Sequence, residues 1–179
     1  MLPLDLPGGY RLRPLSGGDA EELYLLVDAN RAYLAEWMPW AGDSRIETIA
    51  AFLDRVREQV EDDNGFQAAI VDADGALAGI VGFHGVDWNN RATSVGYWLA
   101  EDRQGRGTMT EAVRALTTYA FDVWSLNRVE IQVAVENARS AGVAKRLGFV
   151  EEGVRRQAER HGDSFKDIVV YSMLAGEWT

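Results

Sequence analysis

One passage constrains the fold more than any other: a strand, a glycine loop, a strong helix and a second strand follow each other directly. Thr93 to Leu99 reads as a β-strand, Gln104–Gly105–Arg106–Gly107 as the loop, and Val129 to Val135 as the next strand. Between them Met109, Ala112, Val113, Leu116, Ala120 and Val123 recur at the spacings of one helical face. A helical crossover of this length lets its two flanking strands pair in parallel.

The surroundings of that unit differ from it. Tyr10 to Leu15 alternates as a short strand, and Asp19 is placed to cap a helix carrying Leu23, Leu26 and Val27. A second helical stretch passes Leu34 and ends at Trp37–Met38–Pro39–Trp40. Ser44 and Glu47 have capping-box spacing before a helix through Ile49, Leu53 and Val56. Phe66 to Val71, Leu77 to Trp88 and Thr93 to Leu99 are consecutive strands joined by turns at Asp74–Gly75 and Asn89–Asn90, so they pair antiparallel. After Val135, Ser140 to Leu147 reads as a short helix. Val150 to Arg160 and Phe165 to Leu174 form a last hairpin, with His161 in its turn and facing solvent. The pattern predicts one α/β domain over residues 1–179: a mixed, mostly antiparallel sheet with one parallel pair, flanked by helices.

Composition removes several function classes. The formal charge of −10 argues against a surface that coats nucleic acid. The chain has no cysteine, which excludes disulfides, thiolate metal sites and a cysteine nucleophile. Two distant histidines make a poor metal site, and none is expected. No apolar run nears the ~20 residues of a membrane span, and no signal segment opens the chain, so a cytoplasmic location is the default expectation. A serine-hydrolase elbow is excluded because Ala92 stands where Ala92–Thr93–Ser94–Val95–Gly96 would need its first glycine, and Ser94 lies inside a strand. The acidity is uneven: residues 1–65 carry net −7 and residues 66–179 net −3, so a polyanion belongs on the later part of the chain.

Two segments could carry chemistry. Gln104 to Gly107 brings glycines to a helix N-terminus, where free N–H groups and the dipole favour phosphate, and Arg103 and Arg106 add charge. It is not a P-loop, because Thr108–Met109 replaces the Lys-Ser/Thr ending, nor a Rossmann fingerprint, which needs a third glycine. The competing reading is a plain glycine turn into a helix capped by Thr108 and Glu111. Glu136–Asn137–Ala138–Arg139–Ser140 leaves a strand and enters a helix, where Asn137 and Ser140 serve either as caps or as polar groups at a ligand crevice.

Taken in order, Gly96–Tyr97–Trp98–Leu99, Gln104–Gly105–Arg106–Gly107, Glu111–Ala112, Asn137–Ala138–Arg139–Ser140 and Leu147–Gly148–Phe149 form a more specific series. It resembles the GCN5-related N-acetyltransferase (GNAT) superfamily, and within it the ribosomal-protein N-terminal acetyltransferase (RimJ/RimL-like) branch. Arg31–Ala32–Tyr33–Leu34 and Trp37–Met38–Pro39–Trp40 extend the likeness toward the N-terminus. The resemblance implies that Thr93–Leu99 and Val129–Val135 splay apart and admit acetyl-CoA as cosubstrate. Its pantetheine would pair with backbone at Trp98, Leu99 and Ala100, and Asn137 would hold pantetheine or order water. The N–H groups of Gln104, Gly105, Arg106, Gly107 and Thr108 would hold its pyrophosphate. Asp102 departs from the Gln or Arg usual at that place, which affects a side-chain contact rather than the backbone cradle.

Without cysteine a thiol acyl-enzyme is impossible, and direct attack by an acceptor amine on the thioester is the simplest scheme. An α-amine of pKa about 8 needs less help than a lysine at about 10.4. The resemblance assigns Ser140 to protonate the leaving sulfur and Glu101 to accept the amine proton. A strand N–H would steady the oxyanion. His84, on the glycine-rich strand, is a further base or pocket residue, or simply a packed histidine. Trp37 and Trp40 would wall the acceptor site or serve packing alone. The expected acceptor is an amine, a protein N-terminus or a small amine such as a polyamine or antibiotic. A basic N-terminus suits the acidic first third of the chain. A homodimer is common in the resembled branch, and a catalytically silent acyl-CoA-binding module is the alternative of another class.

Overall fold

The computed structural model describes residues 2–179. Strands β1 (Leu4–Asp5), β2 (Arg11–Pro14), β3 (Gln67–Val71), β4 (Leu77–Asp87), β5 (Ala92–Leu99), β6 (Arg128–Ala134), β7 (Val150–His161) and β8 (Ser164–Leu174) form one sheet. Their spatial order is 1-2-3-4-5-6-8-7, and every neighbouring pair is antiparallel except β5 with β6. The expected mixed sheet is therefore present. The two-residue β1, too short to show a period, is the one strand that patterning did not anticipate.

The parallel ladder holds only three residue pairs: Ala92 with Arg128, Thr93 with Val129, and Ser94 with Glu130. Beyond them β5 stays with β4 as far as Leu99, and β6 stays with β8 as far as Ala134. The two central strands thus part, leaving the later half of β5 with one edge unpaired.

Helices α1 (Ala20–Ala29), α2 (Arg31–Trp37) and α3 (Ile46–Glu61) cover one face, where Leu23, Val27, Leu34 and Leu53 pack on Ile80 and Trp98. Helices α4 (Thr108–Asp122) and α5 (Ala138–Arg146) cover the other, packing Val113, Leu116 and Val143 on Val81, Phe83 and Ile131. Ile80 and Val81 facing opposite cores is the period-two alternation of a strand buried on both sides.

Three predicted caps are built differently. Ser44 does not cap α3: the helix starts one residue later, with Arg45 N–H donating to Thr48 Oγ1 at 2.9 Å. Ser44 is buried instead, and its carbonyl accepts from Arg31 Nη2 at 2.9 Å. Asp19 stands before α1 but accepts from Arg13 Nη2 at 2.6 Å and Ser16 N–H at 2.8 Å, so it closes the preceding turn. Thr108 and Glu111 form no capping box either, because Gly107 is the N-cap and Glu111 pairs with Arg114 at 3.4 Å. His161, expected in solvent, has a side chain only 9% exposed and lies 3.4 Å from Glu159.

The far edge of the sheet is tied by charge. Arg128 Nη1 on β6 donates to Glu152 Oε1 on β7 at 2.7 Å, and Ser172 Oγ on the intervening β8 donates to the same oxygen at 2.8 Å. These donors, Arg128 foremost, lower the Glu152 carboxyl from 4.5 to about 2. A carboxyl depressed by folding adds stability above its unfolded pKa, and that stability is lost as pH falls through its folded value. Glu152→Gln should therefore flatten the acid limb of urea-midpoint curves between about pH 4.5 and 2. Wild-type and variant curves running parallel there would contradict this.

Candidate active site

The splay opens a cleft of about 790 Å³, walled by β5, residues 101–107, the first turn of α4, the end of β6, α5, and Tyr33 and Trp37 of α2. Gly105 and Gly107 take left-handed φ of 77° and 80°, where glycine is unstrained. Their turn delivers the chain to the N-terminus of α4, whose first N–H groups have no intrahelical acceptor. Glu111, so near this phosphate-type cradle, is drawn aside by Arg114.

The arginines divide into two sets. Arg103, read in the sequence as charge for phosphate, is committed to Asp72 at 2.8 Å and lies 3.4 Å from Asp102, so it pins the loop to the β3–β4 turn. Arg106, Arg139 and Arg146 also line the cleft, and among the described residues they bond uncharged groups only. Their acceptors are Asp102 O at 3.5 Å, Gln104 Oε1 at 3.1 Å and Thr110 Oγ1 at 3.2 Å. Three uncommitted cations in a protein of charge −10 mark this end of the cleft for an anion.

Gln104 joins the walls. Its Nε2 donates to Tyr33 OH at 2.6 Å and to Leu99 O at 3.2 Å, while Oε1 accepts from Arg139 Nη1 at 3.1 Å. The Leu99 carbonyl thus faces the cleft. Ala100 N–H is taken by Ala78 O at 2.8 Å, so it is not free for a ligand. The Trp98 ring packs under α1–α3, 6.4 Å from Trp40, with its residue at the cleft's edge.

Asn137 and Ser140 do both things the sequence allowed. Asn137 Oδ1 caps α5 by accepting from Ser140 N–H at 3.0 Å, and both residues line the cleft. Ser140 Oγ donates to Tyr97 OH at 3.1 Å, and Tyr97 OH donates to Ser140 O at 3.1 Å. Burial pushes the Tyr97 phenol up to about 12. Glu101 lines the cleft and is held at its backbone, where its N–H donates to Asn30 Oδ1 at 2.9 Å. His84 is not brought to this group. It lies over Gly96, with Nδ1 3.2 Å from Ser94 Oγ, and burial lowers its pKa. Tyr33, Tyr97 and Arg139 stand within the sequence motifs but receive no site role from them, and Arg146 stands outside those motifs. Only the meeting of distant segments brings them to the cleft. No cluster of metal-ligating side chains occurs among the described residues, and no helix among them is long and apolar enough to cross a membrane.

A cleft between splayed parallel strands, cationic beside a glycine-bordered helix N-terminus and lined elsewhere by aromatic, aliphatic and polar groups, suits an acyl-CoA-dependent transferase. Residues 10–150 match the acetyltransferase (GNAT) domain family, and the chain belongs to it. YdaF of Bacillus subtilis (strain 168), provisionally named a ribosomal N-acetyltransferase, is 39% identical over 172 residues, covering 93% of this chain and 92% of its own. The structure of RimL, a ribosomal L7/L12 α-N-protein acetyltransferase in complex with coenzyme A, superposes with a TM-score of 0.90 at 25% identity, over 96% of this chain and 97% of that one. The microcin C7 self-immunity acetyltransferase MccE, in complex with acetyl-CoA and AMP, gives 0.88 at 28% identity over 93% of each. The protein is an N-acetyltransferase that uses acetyl-CoA as its acyl donor.

Proposed function

We propose that the acceptor is a protein N-terminal α-amine of the ribosomal-protein type, and that the amine attacks the thioester directly in a ternary complex within one domain spanning the chain. The observation that supports this is the mixed charge of the cleft: Arg106, Arg139 and Arg146 line it, and so do the carboxylates Glu101 and Glu159 together with Trp37 and Tyr33. Carboxylates beside aromatic rings suit a cationic amine before it loses its proton. Lys166 Nζ, 4.5 Å above the Trp37 ring and donating to Glu36 O at 2.7 Å, joins the β7–β8 hairpin to α2.

In this reading the N–H groups from Gln104 to Thr108 and the three arginines hold the donor's phosphates. The unpaired edge of β5 pairs with its amide chain. The donor supplies an acetyl thioester. Glu101 accepts the amine proton directly or through water, and Ser140 protonates the sulfur. A basic N-terminus fits the acidic acceptor end, and a cytoplasmic setting and a homodimer, measurable by sedimentation, belong to the same reading. No direct nucleic-acid contact is included.

Thiol release with Ser- and Ala-starting basic peptides, polyamines and aminoglycosides tests this. Peptides should exceed the small amines by at least about tenfold in kcat/KM, equal to ~1.4 kcal/mol of transition-state preference. The reverse order would favour a small-amine enzyme, the reading supported by the likeness to the spermidine N(1)-acetyltransferase of Escherichia coli (strain K12), 25% identical over 143 residues. Tight acetyl-CoA binding with no turnover on any acceptor would favour a silent module.

A further inference from the structure

We infer that Tyr97 is a positioning residue for Ser140: its phenol decides whether the Ser140 hydroxyl proton points away from the cleft or into it. This rests on the reading of Ser140 as proton donor to the leaving sulfur. The two residues stand on opposite walls, Tyr97 on β5 and Ser140 on α5, and touch through two hydrogen bonds of 3.1 Å.

A phenol has one proton and so one donation to make. Donated to Ser140 O, it leaves the phenol oxygen as the acceptor for Ser140 Oγ–H. The serine proton is then spent on Tyr97, and Ser140 offers the cleft only lone pairs, the wrong polarity for a departing thiolate. Rotation of the same O–H bond from the carbonyl to Ser140 Oγ reverses this. Ser140 then accepts from Tyr97, and its own proton is free to face the cleft. The rotation costs little, because Ser140 O lies within α5, where a helical carbonyl has the N–H four residues on as its partner. Burial keeps the phenol protonated, so Tyr97 remains a donor and never a phenolate repelling the sulfur.

The chemistry balances without a further reactant. The amine lone pair forms the C–N bond, the C–S bond breaks with its electrons going to sulfur, and sulfur takes the Ser140 proton. The proton shed by the acylated nitrogen passes to Glu101, directly or through water, and its return to Ser140 restores both groups. The sum is amine plus thioester giving amide plus thiol.

The test compares Tyr97→Phe, Ser140→Ala and the double variant by kcat, KM for acetyl-CoA, calorimetric affinity for coenzyme A, and melting temperature. Tyr97→Phe keeps the ring, so affinity and KM should stay within about twofold while kcat falls about tenfold or more, a part of the ~100-fold or greater effect of a general acid. On the Ser140→Ala background the same change should cost nothing further, because the phenol acts through that hydroxyl. An unchanged kcat in Tyr97→Phe beside a slow Ser140→Ala would overturn the positioning role alone. A fast Ser140→Ala would remove the donor reading and this inference with it. A full additional loss in the double variant, or a loss confined to affinity and melting temperature, would make Tyr97 a packing residue and overturn the proposal.

Discussion

Replacing Gly107 with valine is expected to weaken acetyl-CoA binding by about 10–150-fold per hydrogen bond lost, since a bond to a charged group contributes ~1.5–3 kcal/mol. Gly107 holds φ 80° and ψ −8° as the N-cap of α4. A Cβ there meets no protein atom within 4 Å, so the first carbon of a side chain does not clash. It lies in the backbone, where an L-residue with a Cβ costs roughly 1–2 kcal/mol in the left-handed region, more for a branched one. Rotating out of that region would swing the N–H groups of Gly107 and Thr108 away from the anion they would hold. Calorimetry with acetyl-CoA measures the loss, and melting temperature separates it from unfolding. An affinity within threefold of wild type would mean the phosphates lie elsewhere.

The largest loss of stability is expected at Phe83. Its side chain is fully buried, edge-on to Phe66 at 5.1 Å and 4.7 Å from Trp124, which in turn packs against Tyr119 of α4 at 5.0 Å. Phe83→Ala should cost about 3–5 kcal/mol, the usual range for an aromatic side chain truncated in a tight core. Its backbone carbonyl also accepts from Gln59 Nε2 at 2.7 Å and Gln67 Nε2 at 2.6 Å, so local collapse is resisted on both sides of the chain. Urea denaturation reads the change, and a loss under about 1 kcal/mol would show that the aromatic cluster re-forms around the gap.

Long periodic segments were legible in the sequence and short-range caps were not, for a physical reason. The face through Met109, Val113, Leu116 and Ala120 buries apolar area at every turn, and no local competitor can outweigh that sum. A cap is one hydrogen bond, and Arg31 reaching from α2 to the Ala41, Gly42 and Ser44 carbonyls is enough to recast the start of α3. The same limit applies in the cleft. Gln104, Asn137 and Ser140 belong to short contiguous motifs, and all three line the cleft. Tyr97 meets Ser140 across 43 residues and Tyr33 meets Gln104 across 71, distances at which a single sequence carries no pairing signal. His84 needs the same spatial information: the sequence leaves it as a base, a pocket residue or a packed histidine, and in the fold its ring lies over Gly96, where a Cβ would meet it.

The parting of β5 from β6 after Ser94 also bears on how such a site survives sequence drift. A ligand that completes a sheet is recognised by peptide groups, which every residue type except proline supplies alike. Side chains around it can then be exchanged freely, provided the glycines and the spacing that aim the backbone are kept. The backbone of this chain keeps a TM-score of 0.90 to a coenzyme A-bound relative at 25% identity, as such tolerance would allow. In the proposed reading much of donor recognition falls to the main chain, with Arg106, Arg139 and Arg146 as its side-chain part, whereas the proposed acceptor end is built from side chains and is where lineages would be free to diverge.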